Sequence, residues 1–395
     1  MLPNFTFHSA GSLIFGRDSV RQLGEIAARL KAERILIVTD PILAKAGLVD
    51  RVLAPLNSAG VTCEVFTGCV PEPPVEVVRA AVEAAKAFRP DALLGLGGGS
   101  NMDAAKLVAL VLAHGGDATD WVGDSRVPGP VFPLICVPTT AGTGSEVSAA
   151  AVFTDTAKKM KVSTLSPYLR PAFAVVDPLL TVGCPKQVTA DSGIDALTHA
   201  IEAYTAVSQT EFLKRPGGAS VYQGKNPLSD AMALECIQLV GKFLKRAVDN
   251  GNDLEARDGM ALAATLGGLA FANAGVALVH AMEYPVGGAV HVSHGAGNGL
   301  LLPYVMKYHL ECREWEIAEV GDRLFDSHTA EGAIAGIERL REDIGIPLRL
   351  RDLGVTEAML PGFAEKAFGI KRLMRVNPRM PESADEILAI YRAAF

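Results

Sequence analysis

Apolar residues follow two regimes along the chain. In the first, short β-branched or apolar runs alternate with alanine-rich stretches whose apolar positions recur at helical spacing. ERILIVTD, TCEVFTG, DALLGLGGG and VFPLICVPTT have the length and composition of buried strands. PAFAVVDP adds one more, stopped by a proline. VEVVRAAVEAAKAF and NMDAAKLVALVLAH carry helical spacing. This alternation predicts a parallel sheet with helices on its faces. From Thr189 the second regime begins. TADSGIDALTHAIEAY, SDAMALECIQLVGKFLKRAV, RDGMALAATLGGLAFANA, AEGAIAGIERLREDIG and ADEILAIYRAAF are all helical in period, and no further strand is predicted. Cys184-Pro185-Lys186 reads as the hinge, which gives domains 1–185 and 186–395. SQTEFLKRPGGASVYQGKNPLSD fits neither regime and is predicted as a long irregular loop, functional or mobile.

Composition narrows the picture. A chain of 395 residues with a 49% hydrophobic share can build two substantial cores and has little room for long disorder. A formal charge of −7 without a basic run gives no electrostatic basis for nucleic-acid binding. No apolar run reaches bilayer-spanning length, and MLPNFTFHSAGSLIFGRD lacks the basic start and apolar block of a secretory leader. No membrane partner is expected, and the expected location is the cytoplasm. The six cysteines, Cys63, Cys69, Cys136, Cys184, Cys236 and Cys312, form no CxxC pair and are expected as free thiols.

Four side chains carry the candidate chemistry. Asp195 and His199, at i and i+4, present a carboxylate and an imidazole on one helix face. With His280 and His294 they make a borderline donor set suited to a divalent transition metal, whether iron, zinc, cobalt or manganese. Against this stands the plainer reading of core histidines, with Asp195 bonded to backbone and His294 supporting the turn at Gly295.

Gly97, Gly98, Gly99 and Ser100 run from a strand into a helix, where glycine permits close approach and free N–H groups face a pyrophosphate. A tight turn with no ligand explains them as well, and the run is not GxGxxG. Asp40 closes a strand and suits either a ribose hydroxyl or the N-cap of a helix beginning at Pro41. VPTTAGTGSEVS offers hydroxyls from Thr139, Thr140, Thr143 and Ser145, for a cofactor or for its own turn. Lys214 and Arg215 suit either a substrate carboxylate or a solvated pair.

Taken together, GGGSNMDAAK, PTTAGTGSE, DALTHAIEAY and HAMEYPVGGAVHVSHGAGNGLLLP resemble the iron-containing (group III) alcohol dehydrogenases, in family order through most of the chain. The resemblance implies a dehydroquinate synthase-like fold: an α/β nucleotide-binding domain, an all-α metal-binding domain and a cleft between them. It implies Asp195, His199, His280 and His294 as ligands of Fe(2+), with Zn(2+) an occupant of recombinant protein. It implies NAD held by Gly97 to Ser100, Asp103, Thr139, Thr140, Thr143 and Ser145, with Lys161 at the nicotinamide ribose and Asp40 favouring NAD over NADP. The implied reaction is hydride transfer between NAD and a small primary alcohol or ω-hydroxy acid, or the matching aldehyde, with the metal polarising the oxygen; the implied partner is that small molecule, and the implied assembly a homodimer or higher homo-oligomer. VYQGKNPLSDAM and HAMEYPVGG look like the hydroxyacid–oxoacid transhydrogenase branch, which acts on ω-hydroxy acids with retained NAD. Many members carry a histidine four positions past the third ligand, where this chain has Tyr284. Tyr284 then either donates a proton through its phenol or shapes the pocket, with His291 as a nearby substitute. A dehydroquinate synthase-like lyase would need a basic cluster near the ligands, which this region lacks. A non-catalytic metal or nucleotide module is the remaining alternative.

Overall fold

A computed structural model describes residues 4–158 and 160–395. The chain forms two compact units: His8–Gly183 with Ala219–Val221, and Cys184–Gly218 with Tyr222–Phe395, which also takes in the segment ending at Phe7.

The first unit contains strands β1 (Ser12–Phe15), β2 (Arg34–Val38), β3 (Thr62–Phe66), β4 (Ala92–Gly97), β5 (Gly123–Asp124), β6 (Leu134–Pro138), β7 (Ala150–Asp155), β8 (Met160–Leu165) and β9 (Phe173–Val176). Its helices are α1 (Leu23–Leu30), α2 (Pro41–Lys45), α3 (Leu48–Ser58), α4 (Val75–Phe88) and α5 (Gly99–His114). Six strands form one all-parallel sheet in the order β1-β9-β6-β4-β2-β3. Alternate side chains of each strand enter opposite cores, as the two-residue period demands. Leu36, Val38, Leu93 and Cys136 pack on one face with α4 and α5. Ile35, Ile37, Leu94 and Val137 pack on the other with α1 and α3. Both faces are covered, which is why these strands read as continuous apolar runs.

The chain leaves β2 toward β3 on one side and leaves β4 toward β6 on the other. The connections therefore part between β2 and β4, the place where open α/β sheets bind ligands beyond their strand ends. A smaller sheet, β5-β8-β7, pairs β7 with β8 antiparallel.

The second unit is helical: α6 (Lys186–Thr205), α7 (Gln209–Lys214), α8 (Pro227–Asp249), α9 (Leu254–Ala274), α10 (Leu278–Val290), α11 (His294–Phe325), α12 (Ala330–Ile344), α13 (Leu360–Gly369), α14 (Lys371–Val376) and α15 (Ala384–Ala394). The predicted long loop contains α7, whose N-cap Ser208 accepts from the Glu211 N–H. All six cysteines are free thiols. Among the described residues no single helix is long and apolar enough to cross a membrane.

Candidate active site

The helical unit gathers the ionisable groups. Helix α6 carries Asp195, His199 and Glu202 on successive turns, α10 carries His280 and Glu283, and α11 begins at His294. Ligand atoms of Asp195, His280 and His294 lie within 4.8 Å of one another. His199 stands outside this set. Its Nε2 is 3.9 Å from Asp195 Oδ1, and its ring stacks between Phe271 and His280, with centroids 4.3 and 4.8 Å away. Burial pushes its pKa down to about 4, against the pull of Asp195, so the ring is neutral. Burial opposes ionisation of Asp195, yet the three imidazoles and the Asn298 amide hold its carboxyl below the ordinary range.

Close helix approach makes the cluster possible. A Cβ on Gly295 would lie 2.0 Å from the Asp191 carbonyl oxygen, so only glycine lets α11 start against α6. On Gly297 it would meet Glu283 Cγ at 2.8 Å.

Two carboxylates behind the ligands escaped the sequence reading. His280 Nδ1 lies 2.6 Å from Glu202 Oε2, and His294 Nδ1 lies 2.5 Å from Glu283 Oε2, both within hydrogen-bond range. Glu202 also accepts from the N–H groups of Ala277 (2.9 Å) and Val279 (2.6 Å) at the start of α10. Burial works against its charge, but His280 and these N–H groups outweigh it and hold the carboxyl below its usual value. The available signal was spacing: each glutamate lies one helical turn beyond a candidate ligand.

In the α/β unit, Asp40, the glycine turn and the hydroxyl loop follow the ends of β2, β4 and β6, three neighbouring strands. Asp40 is the N-cap of α2: its Oδ1 accepts from Ile42 N (2.8 Å) and Leu43 N (2.9 Å). Its Oδ2 accepts from Asn101 Nδ2 at 2.7 Å, which ties it to the turn after β4. Gly97 has φ 141. No side chain caps α5 at Gly98, so its first N–H groups remain open to an anion. A Cβ on Gly98 would find only Thr140, at 3.6 Å, so the protein itself does not require glycine there. Gly99 packs against Thr143, and the Thr139 N–H donates to the Gly97 carbonyl.

Asp103 and Ser145, expected at the cofactor, are bonded to each other. Asp103 accepts from Ser145 Oγ (2.6 Å) and Val152 N (2.9 Å). Lys106, fully buried, reaches Ser145 Oγ (2.9 Å), Ser148 Oγ (3.1 Å) and the Ala150 carbonyl (2.8 Å). These bonds clamp the hydroxyl loop onto α5. Lys161 Nζ lies 2.5 Å from Glu72 Oε1, and the Glu72 N–H donates to Ser100 Oγ, so Glu72 links two expected cofactor residues.

Arg215 is not a substrate clamp. Its guanidinium donates to the carbonyls of Arg375 (3.1 Å) and Asn377 (2.5 Å) and to Glu211 (2.5 Å), stapling α7 to the end of α14. Lys214 is exposed. His291 is exposed too, as the left-handed C-cap of α10. The Tyr284 ring centroid lies 6.0 Å from that of His294.

Comparison with known proteins places this arrangement. Residues 10–178 match the family model described as iron-containing alcohol dehydrogenase, and residues 219–395 match the C-terminal model of the same family. The chain belongs to the iron-containing alcohol dehydrogenases. It is 40% identical over 390 residues to long-chain-alcohol dehydrogenase 1 of Geobacillus thermodenitrificans, covering 96% of this chain and 94% of that one. It is 37% identical to 1,3-propanediol dehydrogenase of Klebsiella pneumoniae, covering 100% and 98%. A solved 1,3-propanediol oxidoreductase superposes with a TM-score of 0.92 at 36% identity, covering 100% of both chains. The chain is thus an oxidoreductase of a family that joins iron to nicotinamide chemistry.

The donor chemistry fits the family's metal. With both Nδ1–H groups spent on glutamates, the Nε2 lone pairs of His280 and His294 face Asp195 Oδ1. Asn298 Nδ2 lies 2.8 Å from Asp195 Oδ1, 3.2 Å from His280 Nε2 and 3.1 Å from His294 Nε2. An amide has two hydrogens for these three acceptors. Three acceptors gathered round one amide, two of them on buried residues, suit a cation.

Proposed function

We propose that the chain is an NAD-dependent, iron-dependent alcohol dehydrogenase for small primary alcohols and their aldehydes. The observation that carries this reading is the convergence of Asp195, His280 and His294, the two imidazoles each backed by a buried carboxylate. His199, whose Nε2 lies 3.9 Å from Asp195 Oδ1, would supply the fourth ligand.

When bound, iron supplies a Lewis acid that acidifies an alcohol hydroxyl, and NAD supplies the hydride acceptor. The chain's own residues do the rest. Asp195 brings negative charge to the metal, and the neutral imidazoles bring lone pairs. The open N-terminus of α5, with Gly97, Gly98, Gly99 and Ser100, receives the pyrophosphate. Thr139, Thr140 and Thr143 line its far side, Lys161 holds the nicotinamide ribose, and Asp40 takes the adenosine ribose. Tyr284, its ring centroid 6.0 Å from that of His294, would offer a phenol for passing the alcohol proton toward water.

Arg215 weighs against a preference for ω-hydroxy acids, because its guanidinium is consumed by backbone carbonyls. The test is a panel of primary alcohols, diols and ω-hydroxy acids on anaerobically iron-loaded enzyme, with NAD and NADP compared. His280→Ala should lose both bound metal and turnover. Full activity in that variant would refute the metal assignment.

A further inference from the structure

We infer that Glu202 and Glu283 are positioning residues that hold His280 and His294 in the one tautomer able to bind a metal, and so set how tightly the site keeps it. The inference rests on the metal reading proposed above and extends it to two side chains outside the ligand set.

A neutral imidazole carries its hydrogen on one nitrogen, and only the bare nitrogen can ligate. In water the two tautomers interchange. Here Glu202 lies 2.6 Å from Nδ1 of His280 and Glu283 lies 2.5 Å from Nδ1 of His294. A carboxylate that accepts from Nδ1 keeps the hydrogen on that nitrogen and leaves Nε2 bare. Both Nε2 atoms lie against the Asn298 amide nitrogen that also reaches Asp195 Oδ1. Donation to a carboxylate also raises the basicity of the ring as a ligand.

A purely structural account of the two glutamates falls short. Glu202 does cap the start of α10 through Ala277 and Val279, but a cap does not require its other contact with a ring nitrogen. Glu283 lies mid-helix on α10, fully buried, and reaches across to α11. A buried carboxylate is expensive without a partner. The chain places one behind each of two ligands and even keeps glycine at 297 to make room for the second. His199 provides an internal contrast. Its Nδ1 is buried without a hydrogen-bond partner among the described residues, and its ring stacks between Phe271 and His280 with no carboxylate at Nδ1.

The experiment is a cobalt(II) titration of the full chain, followed by the visible absorption of the bound ion and by competition with a chelator. It is run on wild type, E202Q, E283Q, and E338Q as a surface control. Glutamine keeps the shape but offers an amide that no longer enforces the tautomer. We expect E202Q and E283Q each to bind cobalt about 10- to 100-fold more weakly. E338Q should match wild type, and the metal-free Tm of E283Q should be unchanged. Affinity within twofold of wild type for either variant overturns the assignment of that carboxylate. If E202Q does not fold, E202D, which withdraws the charge by one carbon, is read by the same criterion. Failure of wild type to bind one cobalt per chain would instead sink the metal reading itself, independently of the variants.

Discussion

Gly295→Ala isolates what brings α11 to the metal site. The added Cβ would sit 2.0 Å from the Asp191 carbonyl oxygen, 2.7 Å from its carbonyl carbon and 3.1 Å from Asp195 Cβ. Two of these are backbone atoms of α6 and have no side-chain freedom with which to yield. Non-bonded carbon and oxygen rarely approach within 3 Å, so the start of α11 must withdraw by about 1 Å, several times the ~0.2 Å tolerance of a metal–ligand distance. His294, the neighbouring residue, moves with it. Overpacking of this kind costs about 1–3 kcal/mol of stability. The expected outcome is a clear fall in Tm together with loss of tight metal binding, measured by chelator competition. Gly288→Ala is the matched control. Gly288 lies in α10, where an added Cβ meets nothing within 4 Å. There alanine should stabilise by about 0.5–1 kcal/mol and leave metal affinity alone. If G295A kept both wild-type Tm and wild-type affinity, the α6–α11 contact could not be what positions His294.

Lys106→Met removes a buried cation bonded to the hydroxyl loop and takes away the charge partner of Asp103; we expect about 3–5 kcal/mol of destabilisation in urea unfolding and weaker NAD binding. An unchanged urea midpoint would contradict this. Burial pushes Asp230 up to about 6 from an ordinary 3.8, against the pull of Lys225. The folded chain therefore holds a proton there that the unfolded chain has released, and this contribution to stability, full below pH 3.8, is lost as pH rises to about 6. At about 1.4 kcal/mol per pH unit the loss is at most about 3 kcal/mol, cut to about 1 by partial exposure. Asp230→Asn should raise Tm at pH 8 and give no gain at pH 4; equal effects at both would exclude titration of Asp230 as the cause. Asp40→Ala should cost about 1 kcal/mol through the lost cap of α2. It should also raise kcat/KM with NADP relative to NAD, and an unchanged ratio would leave Asp40 as a cap only.

The central strands were legible because parallel strands covered on both faces must be apolar throughout, as Ile35 to Val38 and Leu93 to Leu96 are. β7 and β8 were not, because alternate positions such as Thr154 and Lys161 leave the core and interrupt the run. The two helices nearest the ligands were also hidden. Pro285 lies inside α10 and Pro303 inside α11, residues that usually argue against helix. In the site, Asp195, His280 and His294 stood out as residue types, but their meeting depends on Gly295, whose role appears only when α6 and α11 are packed together. The bonding of Asp103 was unreadable for a similar reason. Its partners Ser145 and Val152 lie far along the chain, and nothing local announces the buried Lys106 beside them. Arg215 looked like a ligand-binding cation because sequence shows its charge and not the free carbonyls at the end of α14.

The proposed ligands come from α6, α10 and α11, helices well separated in the chain, and Glu202 joins two of them. No early segment holds enough of the set to recruit an ion while the polypeptide emerges. Capture therefore falls at the end of assembly, by a pocket already shaped. Occupancy then depends on which divalent ion is abundant at that moment, since zinc competes well for nitrogen-rich sites by affinity alone. Two batches of this enzyme with identical folds could differ in activity simply through the history of the cells that made them.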